Sequence, residues 1–343
     1  MENVLLKKII AYVTMFLFIG MCFVPITGSV KVEKIGSPAI FVNGTIRYVG
    51  GGGGGNYSSI QEAIDDSVNG DTVFVYDDSS PYEENIRINK QILVTGEERD
   101  TTVIKGTTGQ DHVVRISSKN AEINGFTIRG ATVGQDGVTV YPLMEDSSII
   151  NNIIKECSYG IFLQATSARI TISNNLITNN DFSGIFFQES DRNVITGNTI
   201  SNNGDYGISL KSLSKQNDII NNIIENNFAG ILVAGSSSQN DITGNHILNN
   251  DMEGIFIDGL LSTSNTLTGN NITNNNGGIK ITSGGKNIIT SNNIQDKITE
   301  AVKELKRNGY LVRKSSKHGQ AVYINPHKRK QIETELKKKY PFF

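Results

Sequence analysis

The sequence predicts an all-β protein, a single-stranded right-handed parallel β-helix (a solenoid of about 23 residues per coil), with an N-terminal helical cap and a small basic α/β C-terminal appendage. Two series of residues predict the coils. In one, a glycine precedes an apolar residue, at Gly137, Gly160, Gly184, Gly207, Gly230, Gly254 and Gly278. In the other, an asparagine stands two residues before an isoleucine, at Asn152, Asn175, Asn198, Asn222, Asn245, Asn270 and Asn292. Two motifs that stay in phase over seven coils identify a repeat array.

Each repeat holds three short apolar runs, as in residues 184–187, 193–196 and 198–200. The runs are rich in β-branched residues, alternate as strands do and are too short for helices. Asn, Asp, Ser and Gly separate them, and these residues tolerate tight turns. Three strands in each coil predict the parallel β-helix. A leucine-rich repeat would need a segment of helical period, and a propeller blade would need about 40 residues.

A further asparagine series lies five residues ahead of the second one, at Asn193, Asn217, Asn240, Asn265 and Asn287. Stacked side-chain amides can form hydrogen bonds from one strand layer to the next. We therefore expect these asparagines to connect neighbouring coils at a turn and to serve structure rather than chemistry.

The entry to the solenoid is predicted from residues 57–76. Ser58 or Ser59 can cap a short helix whose apolar stripe is Ile60, Ala63 and Ile64. Such a helix would cover the first coil, whose strand edges would otherwise be exposed. The glycines at 50–55 lack the lysine and spacing of a phosphate-binding loop, so they predict a flexible linker.

The chain divides into four predicted regions. Residues 1–28 are a signal peptide or a membrane anchor, 29–56 an irregular segment and glycine linker, 57–296 the β-helix, and 297–343 a basic helix–hairpin–helix tail. The apolar run 9–24 follows two lysines and, at 16 residues, is shorter than the ~20 that span a bilayer. A cleaved signal is favoured over a retained anchor that contacts the membrane. We expect an exported, extracellular or cell-surface protein.

Charge is distributed unevenly. The net charge of the chain is −2, yet the tail from Lys297 carries 13 Lys or Arg against four Glu, so the solenoid is acidic and the tail basic. We expect the apolar residues at 298–305 to cap the last coil and the basic surface to meet an acidic wall, membrane or glycan.

Several runs carry a family resemblance, namely 59–64 (SIQEAI), 70–73 (GDTV), 82–86 (YEENI) and 125–128 (GFTI). With the Asn-x-Ile repeats, they resemble pectin-lyase-like β-helix proteins, and in particular the NosD-like surface and periplasmic proteins. The resemblance covers roughly residues 45–295 and implies fold and compartment. The group includes lyases, hydrolases, esterases, epimerases and non-catalytic binding proteins, so the resemblance leaves the activity open. It also implies that a substrate lies across the outside of one sheet.

The tail is similar to the latter half of a winged-helix DNA-binding domain, with 314–319 as the wing. The two preceding helices of that domain are absent, and an exported chain would not meet DNA. We therefore do not expect nucleic acid as a partner.

The candidate ligand-binding face follows from strand alternation. If the residue after each repeat glycine points inward, the second and fourth residues point outward. These positions give the predicted ligand-binding residues Tyr141, Phe162, Gln164, Phe186, Gln188 and Phe256. Tyr159, Phe182, Tyr206 and Phe228 adjoin them at the preceding turn. Rings beside amides suit sugars, which predicts an elongated carbohydrate or surface-polymer platform; alternatively, the rings only cover the sheet.

The candidate catalytic residues are Asp205, Lys211 and Asp258. A glycosidase needs two carboxylates about 5–9.5 Å apart, and the acidic residues near the repeat glycines form no regular stack. We therefore expect binding without catalysis. A polysaccharide lyase or glycoside hydrolase acting on this face is the alternative, and a purely structural surface module is the other.

Metal and cofactor motifs are missing from the sequence. The four histidines are scattered, and Cys22 lies inside the predicted signal, which leaves Cys157 without a disulfide partner. We expect no metal, no cofactor and a monomer.

Overall fold

A computed structural model of the protein describes residues 44–109, 112–130 and 134–295, and the backbone of two strands at 311–316 and 319–324. The described elements begin with β1 Ile46–Val49, α1 Ile60–Asp66, β2 Thr72–Val75, β3 Tyr82–Glu83, β4 Ile86–Ile88, β5 Leu93–Gly96, β6 Val103–Lys105, β7 His112–Ile116, β8 Glu122–Asn124, β9 Thr127–Arg129, β10 Asp136–Val140, β11 Ser148–Ile150 and β12 Ile153–Lys155. They continue with β13 Ile161–Leu163, β14 Thr171–Ser173, β15 Leu176–Thr178, β16 Ile185–Gln188, β17 Val194–Thr196, β18 Thr199–Ser201, β19 Tyr206–Lys211, β20 Asp218–Ile220, β21 Ile223–Glu225, β22 Ala229–Val233, β23 Asp241–Thr243, β24 His246–Leu248, β25 Glu253–Ile257, β26 Thr266–Thr268, β27 Asn271–Thr273, β28 Gly277–Ile281, β29 Ile288–Thr290, β30 Asn293–Gln295, β31 Leu311–Ser316 and β32 Gly319–Ile324.

The strands form three long parallel sheets, which confirms the predicted β-helix. Sheet 1 has the order β1-β2-β5-β8-β11-β14-β17-β20-β23-β26-β29, and sheet 2 the order β3-β6-β9-β12-β15-β18-β21-β24-β27-β30. Sheet 3 consists of β4-β7-β10-β13-β16-β19-β22-β25-β28. In the middle of the solenoid, neighbouring strands pair residues 23 or 24 positions apart, as Val138 with Ile161 and Ile161 with Ile185. Every third strand therefore joins the same sheet.

The core is a set of aliphatic columns that run along the solenoid. In one coil Ile161, Ile172 and Ile177 come from the three sheets, and each is fully buried. The strand pairing places the corresponding residue of the next coil beside each of them, as Ile172 beside Ile195. Inward stacking of like residues at ~4.8 Å excludes water from the axis of the solenoid.

Buried asparagines connect the coils at three turns. The predicted series at Asn193 is confirmed: the backbone N–H and the side-chain Nδ2 of Asn193 both donate to Oδ1 of Asn217, at 2.9 Å. The Asn-x-Ile series does the same, since Asn175 donates from both groups to Oδ1 of Asn198. A third series, not predicted, runs through Asn180, Asn203, Asn227, Asn250 and Asn275. Each amide thus satisfies backbone groups that would otherwise be buried without a partner.

The two asparagines of each recurring Asn-Asn pair have different structural roles. In the pair Asn221-Asn222, Asn221 is exposed with a φ of 55°, whereas Asn222 is fully buried in the Asn-x-Ile series. Asparagine tolerates the left-handed conformation better than other residues with a Cβ. The first member therefore makes the turn, and the second makes the hydrogen bonds between coils.

The repeat glycines are required by close approach of neighbouring atoms. A Cβ built on Gly184 would lie 2.5 Å from Cγ2 of Ile200 and 2.8 Å from the carbonyl oxygen of Gly207. Gly160 meets Ile177 and Gly184 in the same way. Only glycine lets sheet 3 begin so near the isoleucine column of sheet 2, which explains the period of this series.

The solenoid begins earlier than predicted. The strand β1 lies within the stretch assigned to an irregular segment, and its residues pair with β2 in parallel. The glycines at 50–55 do not form an open linker, because Gly50 N–H donates to Tyr57 O at 2.9 Å and Tyr57 N–H to Tyr48 O at 2.8 Å. Hydrogen bonds across the base of this loop hold it closed. The strand before these glycines has an inward valine, Val49, which is fully buried and pairs with the buried Val75 of the next coil.

The helix α1 forms where it was predicted. The Ser59 side chain accepts from Glu62 N–H, and Ile60, Ala63 and Ile64 are buried in the core. The carboxylate of Glu84 accepts from Ile60 N–H at 2.8 Å. A negative charge at a helix N-terminus is favourable, so the next coil stabilises this helix.

The predicted tail is described only in part. Its two strands are β31 and β32, which pair antiparallel as a hairpin. The other predictions for the tail, and the predicted signal or anchor at 1–28, lie outside the described residues. Within the described part of the chain, no helix is both long and apolar enough to cross a membrane.

Candidate functional site

The outer face of sheet 3 has the predicted side-chain alternation. Phe162 and Phe186 are partly exposed, whereas the neighbouring Leu163 and Phe187 are fully buried. Pairing in register puts Phe162 beside Phe186 on adjacent strands. The second and fourth residues after each glycine therefore form two columns that run along the solenoid.

Four rings meet on this face to form the aromatic cluster, defined as Tyr159, Phe162, Phe182 and Phe186. The Tyr159 ring stacks on Phe186 at 4.9 Å and lies 5.3 Å from Phe182 and 5.8 Å from Phe162, as ring centroids. The Phe162 and Phe186 centroids are 5.2 Å apart. Phe182 remains 48% exposed, so the cluster presents an apolar surface to solvent.

Tyr141 lies apart from this cluster. The guanidinium carbon of Arg115 sits 3.4 Å from the centroid of the Tyr141 ring, and the His112 ring is 5.7 Å away, edge to face. The Arg115 guanidinium thus covers one face of the Tyr141 ring, which was predicted to bind a ligand. Of the two predicted amides, Gln188 is exposed and pairs in register with Lys211, and Gln164 is half-buried.

A charged cluster follows the aromatic one along sheet 3. The Lys211 ammonium lies 5.7 Å from the Phe186 ring centroid and 5.8 Å from that of Tyr206. Burial raises the pKa of Asp205, an effect that the positive charge of Lys211 and a hydrogen bond from Ser183 partly oppose. The structure therefore brings two of the candidate catalytic residues, Asp205 and Lys211, together beside a tyrosine.

Tyr206 connects this pair to the third candidate. Burial raises the pKa of Tyr206, and the charges of Asp205, Glu253 and Asp258 raise that pKa further. The neutral phenol is a hydrogen-bond donor close to these carboxylates. Asp258 is exposed and accepts a hydrogen bond from the hydroxyl of Thr282.

Phe256 is the last of the predicted ligand-binding residues towards the C-terminal end of sheet 3. The Lys280 ammonium lies 4.9 Å from the Phe256 ring centroid and forms a 2.8 Å ion pair with Glu253. Lys280 continues the column of outward residues, because it pairs in register with Phe256. Rings and charged groups thus both occur along the face from Tyr141 to Lys280.

Sequence reasoning missed the basic residues ahead of the aromatic cluster. Arg115 pairs in register with Thr139, which holds an outward position after Gly137. The coils before Gly137 lack the repeat glycine, so the glycine series does not mark their outward residues. Counting one coil back from Thr139 would have found Arg115.

The described residues contain no group of three or more His, Cys, Asp or Glu side chains placed to hold a metal ion. His246 is exposed on β24, on a sheet other than the candidate face. Cys157 is buried at the head of the third asparagine series, where its N–H donates to Oδ1 of Asn180.

Comparisons with known proteins agree with this architecture. The family model described as "Right handed beta helix region" matches residues 90–247 and 136–295, which together exceed half of the chain. The chain belongs to this family of right-handed β-helix proteins. No curated protein matches the sequence significantly.

Solved structures with a similar fold include the A-module of the mannuronan C-5 epimerase AlgE4 of Azotobacter vinelandii, with 20% identity, a TM-score of 0.58 and coverage of 68% of this chain and 71% of that one. The enzymatically active domain of tailspike protein 2 of bacteriophage CBA120 has 16% identity and a TM-score of 0.57, over 75% of this chain and 46% of that one. The pectate lyase Pel9A has 14% identity and a TM-score of 0.53, over 72% and 79%. This chain thus spans less than half of the tailspike domain, and at these identities the likeness concerns the fold.

Proposed function

We propose that this protein binds a polysaccharide along the outer face of sheet 3. The observation that carries the proposal is the aromatic cluster, whose contacting ring centroids lie 4.9–5.8 Å apart on the outer face of sheet 3. Flat apolar rings stack on the C–H faces of sugar rings, and the adjacent amides and charges can bond to hydroxyls.

The outer face of sheet 3 extends along the solenoid, which also suits an elongated polymer. Equivalent outward positions recur at ~4.8 Å along the solenoid, so a chain of sugars that lies along the face can contact successive strands. The column from Phe162 through Phe256 to Lys280 spans six neighbouring strands, from β13 to β28. Two of the proteins with a similar fold, a mannuronan C-5 epimerase and a pectate lyase, support a carbohydrate ligand.

The experiment is a glycan array with the purified chain, followed by measured affinities for the polymers it retains. The double variant Phe162→Ala/Phe186→Ala should weaken binding at least tenfold, because each ring stacked on a sugar contributes roughly 1 kcal/mol or more. The matched control is Tyr48→Ala/Phe74→Ala, which removes two rings that contact each other on sheet 1. Equal affinity of the wild type and the sheet 3 variant would contradict the proposal.

A second candidate function, cleavage or epimerisation of the bound glycan, is supported by the environment of Asp205. A carboxyl with a raised pKa next to a lysine and a tyrosine is suited to donate a proton to a leaving group or to take one from a sugar carbon. New reducing ends or unsaturated products from a polysaccharide panel would establish it. Loss of those products in Asp205→Asn, Lys211→Gln or Asp258→Asn would assign the substituted residue to the reaction.

We also propose that the protein acts outside the cytoplasm, on an extracellular or cell-surface glycan. The lysine-flanked apolar run at 9–24 supports export. N-terminal sequencing of the chain recovered from fractionated cells tests this proposal, and recovery of the intact chain from the cytoplasmic fraction alone would contradict it.

A further inference from the structure

Two arginines lie side by side on sheet 3, on the N-terminal side of the aromatic cluster. Arg87 on β4 and Arg115 on β7 are partners in register, and Thr139 on β10 follows them. The residues that flank each arginine, such as Val114 and Ile116, are fully buried. Both guanidinium groups therefore project from the outer face, on neighbouring strands ~4.8 Å apart.

The structure orients both groups. The Arg115 guanidinium lies over the Tyr141 ring, and its Nε is buried with no hydrogen-bond partner. Arg87 donates from Nε to the hydroxyl of Ser117 at 3.0 Å. Because the tyrosine covers one face of Arg115, its remaining donors lie in the plane of the guanidinium, where they can meet a planar oxyanion.

Within the described part of the chain, neither arginine has an acidic partner. By contrast, Arg47 forms an ion pair with Asp71, Arg129 with Glu156, and Arg169 with Asp146. Of the ion pairs among the described residues, none involves Arg87 or Arg115. Like charges directly opposite on neighbouring strands destabilise a sheet, so an anion bound between them would relieve that repulsion.

We propose that Arg87 and Arg115, here called the arginine pair, bind an oxyanion substituent of the polysaccharide that rests on the aromatic cluster. The pair and the cluster share sheet 3, with Arg115 two strands from Phe162, or roughly 10 Å along the solenoid. One polymer lying along this sheet contacts both. The ligand is then an acidic polysaccharide, bearing carboxylates or sulfate esters, and the inference rests on the proposed function.

Two matched pairs of polymers test the proposal: polygalacturonate with its methyl-esterified form, and dextran sulfate with dextran. In each pair the backbone is kept and the anion is removed, and comparison of the pairs distinguishes a carboxylate from a sulfate. The wild-type chain should prefer the charged member of at least one pair. The variant Arg87→Gln/Arg115→Gln should lose roughly tenfold to a hundredfold in affinity for that polymer and keep its affinity for the neutral one.

The control variant Arg99→Gln/Arg192→Gln removes the same charge from turns outside sheet 3. Arg99 contacts Asn151, and Arg192 contacts Gln216, so neither substitution breaks an ion pair. Its affinity should stay within about twofold of the wild type, because distant exposed charges are screened. The variant Arg87→Lys/Arg115→Lys, which keeps the charge but not the planar fork, should bind with intermediate affinity.

The outcomes separate the two proposals. If the wild type binds polysaccharide and Arg87→Gln/Arg115→Gln binds the charged polymer equally well, the arginine pair is not the anion site. An equal loss in the Arg99→Gln/Arg192→Gln control would show a nonspecific charge effect and also overturn the inference. A wild type that binds no polymer on the array overturns the proposed function together with the site. Melting temperatures of all variants distinguish loss of the site from loss of the fold.

Discussion

Replacing Asn222 with alanine tests whether the buried amides hold the coils together. Asn222 Oδ1 accepts from the backbone N–H and from Nδ2 of Asn198, both at 3.0 Å. Its Nδ2 donates to Ile195 O at 2.9 Å and to Asn245 Oδ1 at 3.0 Å. Alanine removes all of these bonds and fills none of the space.

The magnitude follows from the groups left behind. The N–H of Asn198 becomes a buried donor without an acceptor, which costs about 1–3 kcal/mol, and each other lost hydrogen bond adds about 0.5–1.5 kcal/mol. We therefore expect Asn222→Ala to lower the free energy of unfolding by roughly 2.5–7.5 kcal/mol. Urea denaturation followed by circular dichroism measures the change.

The neighbouring residue supplies the control. Asn221 is exposed and left-handed, and glycine adopts that conformation without strain, so Asn221→Gly should change the free energy of unfolding by less than about 1 kcal/mol. If both variants unfold at the same urea concentration, the buried amides do not stabilise the stack, and the structural account of the asparagine series fails.

Three further predictions concern single positions. Gly184→Ala should destabilise the fold by about 1–3 kcal/mol, because its Cβ would meet Ile200 and a carbonyl, whereas Gly52→Ala, which meets nothing within 4 Å, should be neutral in thermal denaturation. Asp205→Asn should raise the melting temperature at pH 7, because the raised pKa of Asp205 means that its ionised carboxyl disfavours folding. The wild type should therefore gain stability as the pH falls towards ~3.9, the ordinary pKa of an aspartate. That difference should vanish near pH 3, and a lower melting temperature for the variant at pH 7 would contradict the assigned burial. Cys157, whose pKa burial raises to about 12, should react with a thiol reagent only after unfolding, in a chain carrying Cys22→Ser so that one thiol is counted; rapid labelling of the folded chain would contradict its placement.

The sequence predicted the fold well because its signals are local and repeat many times. An error at one coil is corrected by the other coils, which carry the same glycine and isoleucine at the same spacing. The prediction failed at the first coil, where β1 is directly followed by six glycines that resemble a linker. A hydrogen-bonded loop and a flexible one can have the same composition, and only tertiary pairing distinguishes them.

The candidate site was predictable only along the columns that the glycine series marks. Phe162 and Phe186 were placed on one face because alternation is a local property. Contacts that join different coils, such as Lys211 over Phe186 and Arg115 over Tyr141, depend on side-chain rotamers and on the offset between coils. Sequence spacing alone does not give these.

The sequence by itself determined the period, the three strands in each coil, the inward isoleucines and the outward rings, since each follows from a two-residue alternation repeated every 23 or 24 residues. The tertiary structure decided which outward groups meet. It gathered four rings into one cluster, placed Asp205 in a half-buried position that raises its pKa, and set Arg87 beside Arg115 with no carboxylate partner among the described residues. These outcomes depend on burial and on contacts between coils, which arise only when the coils stack.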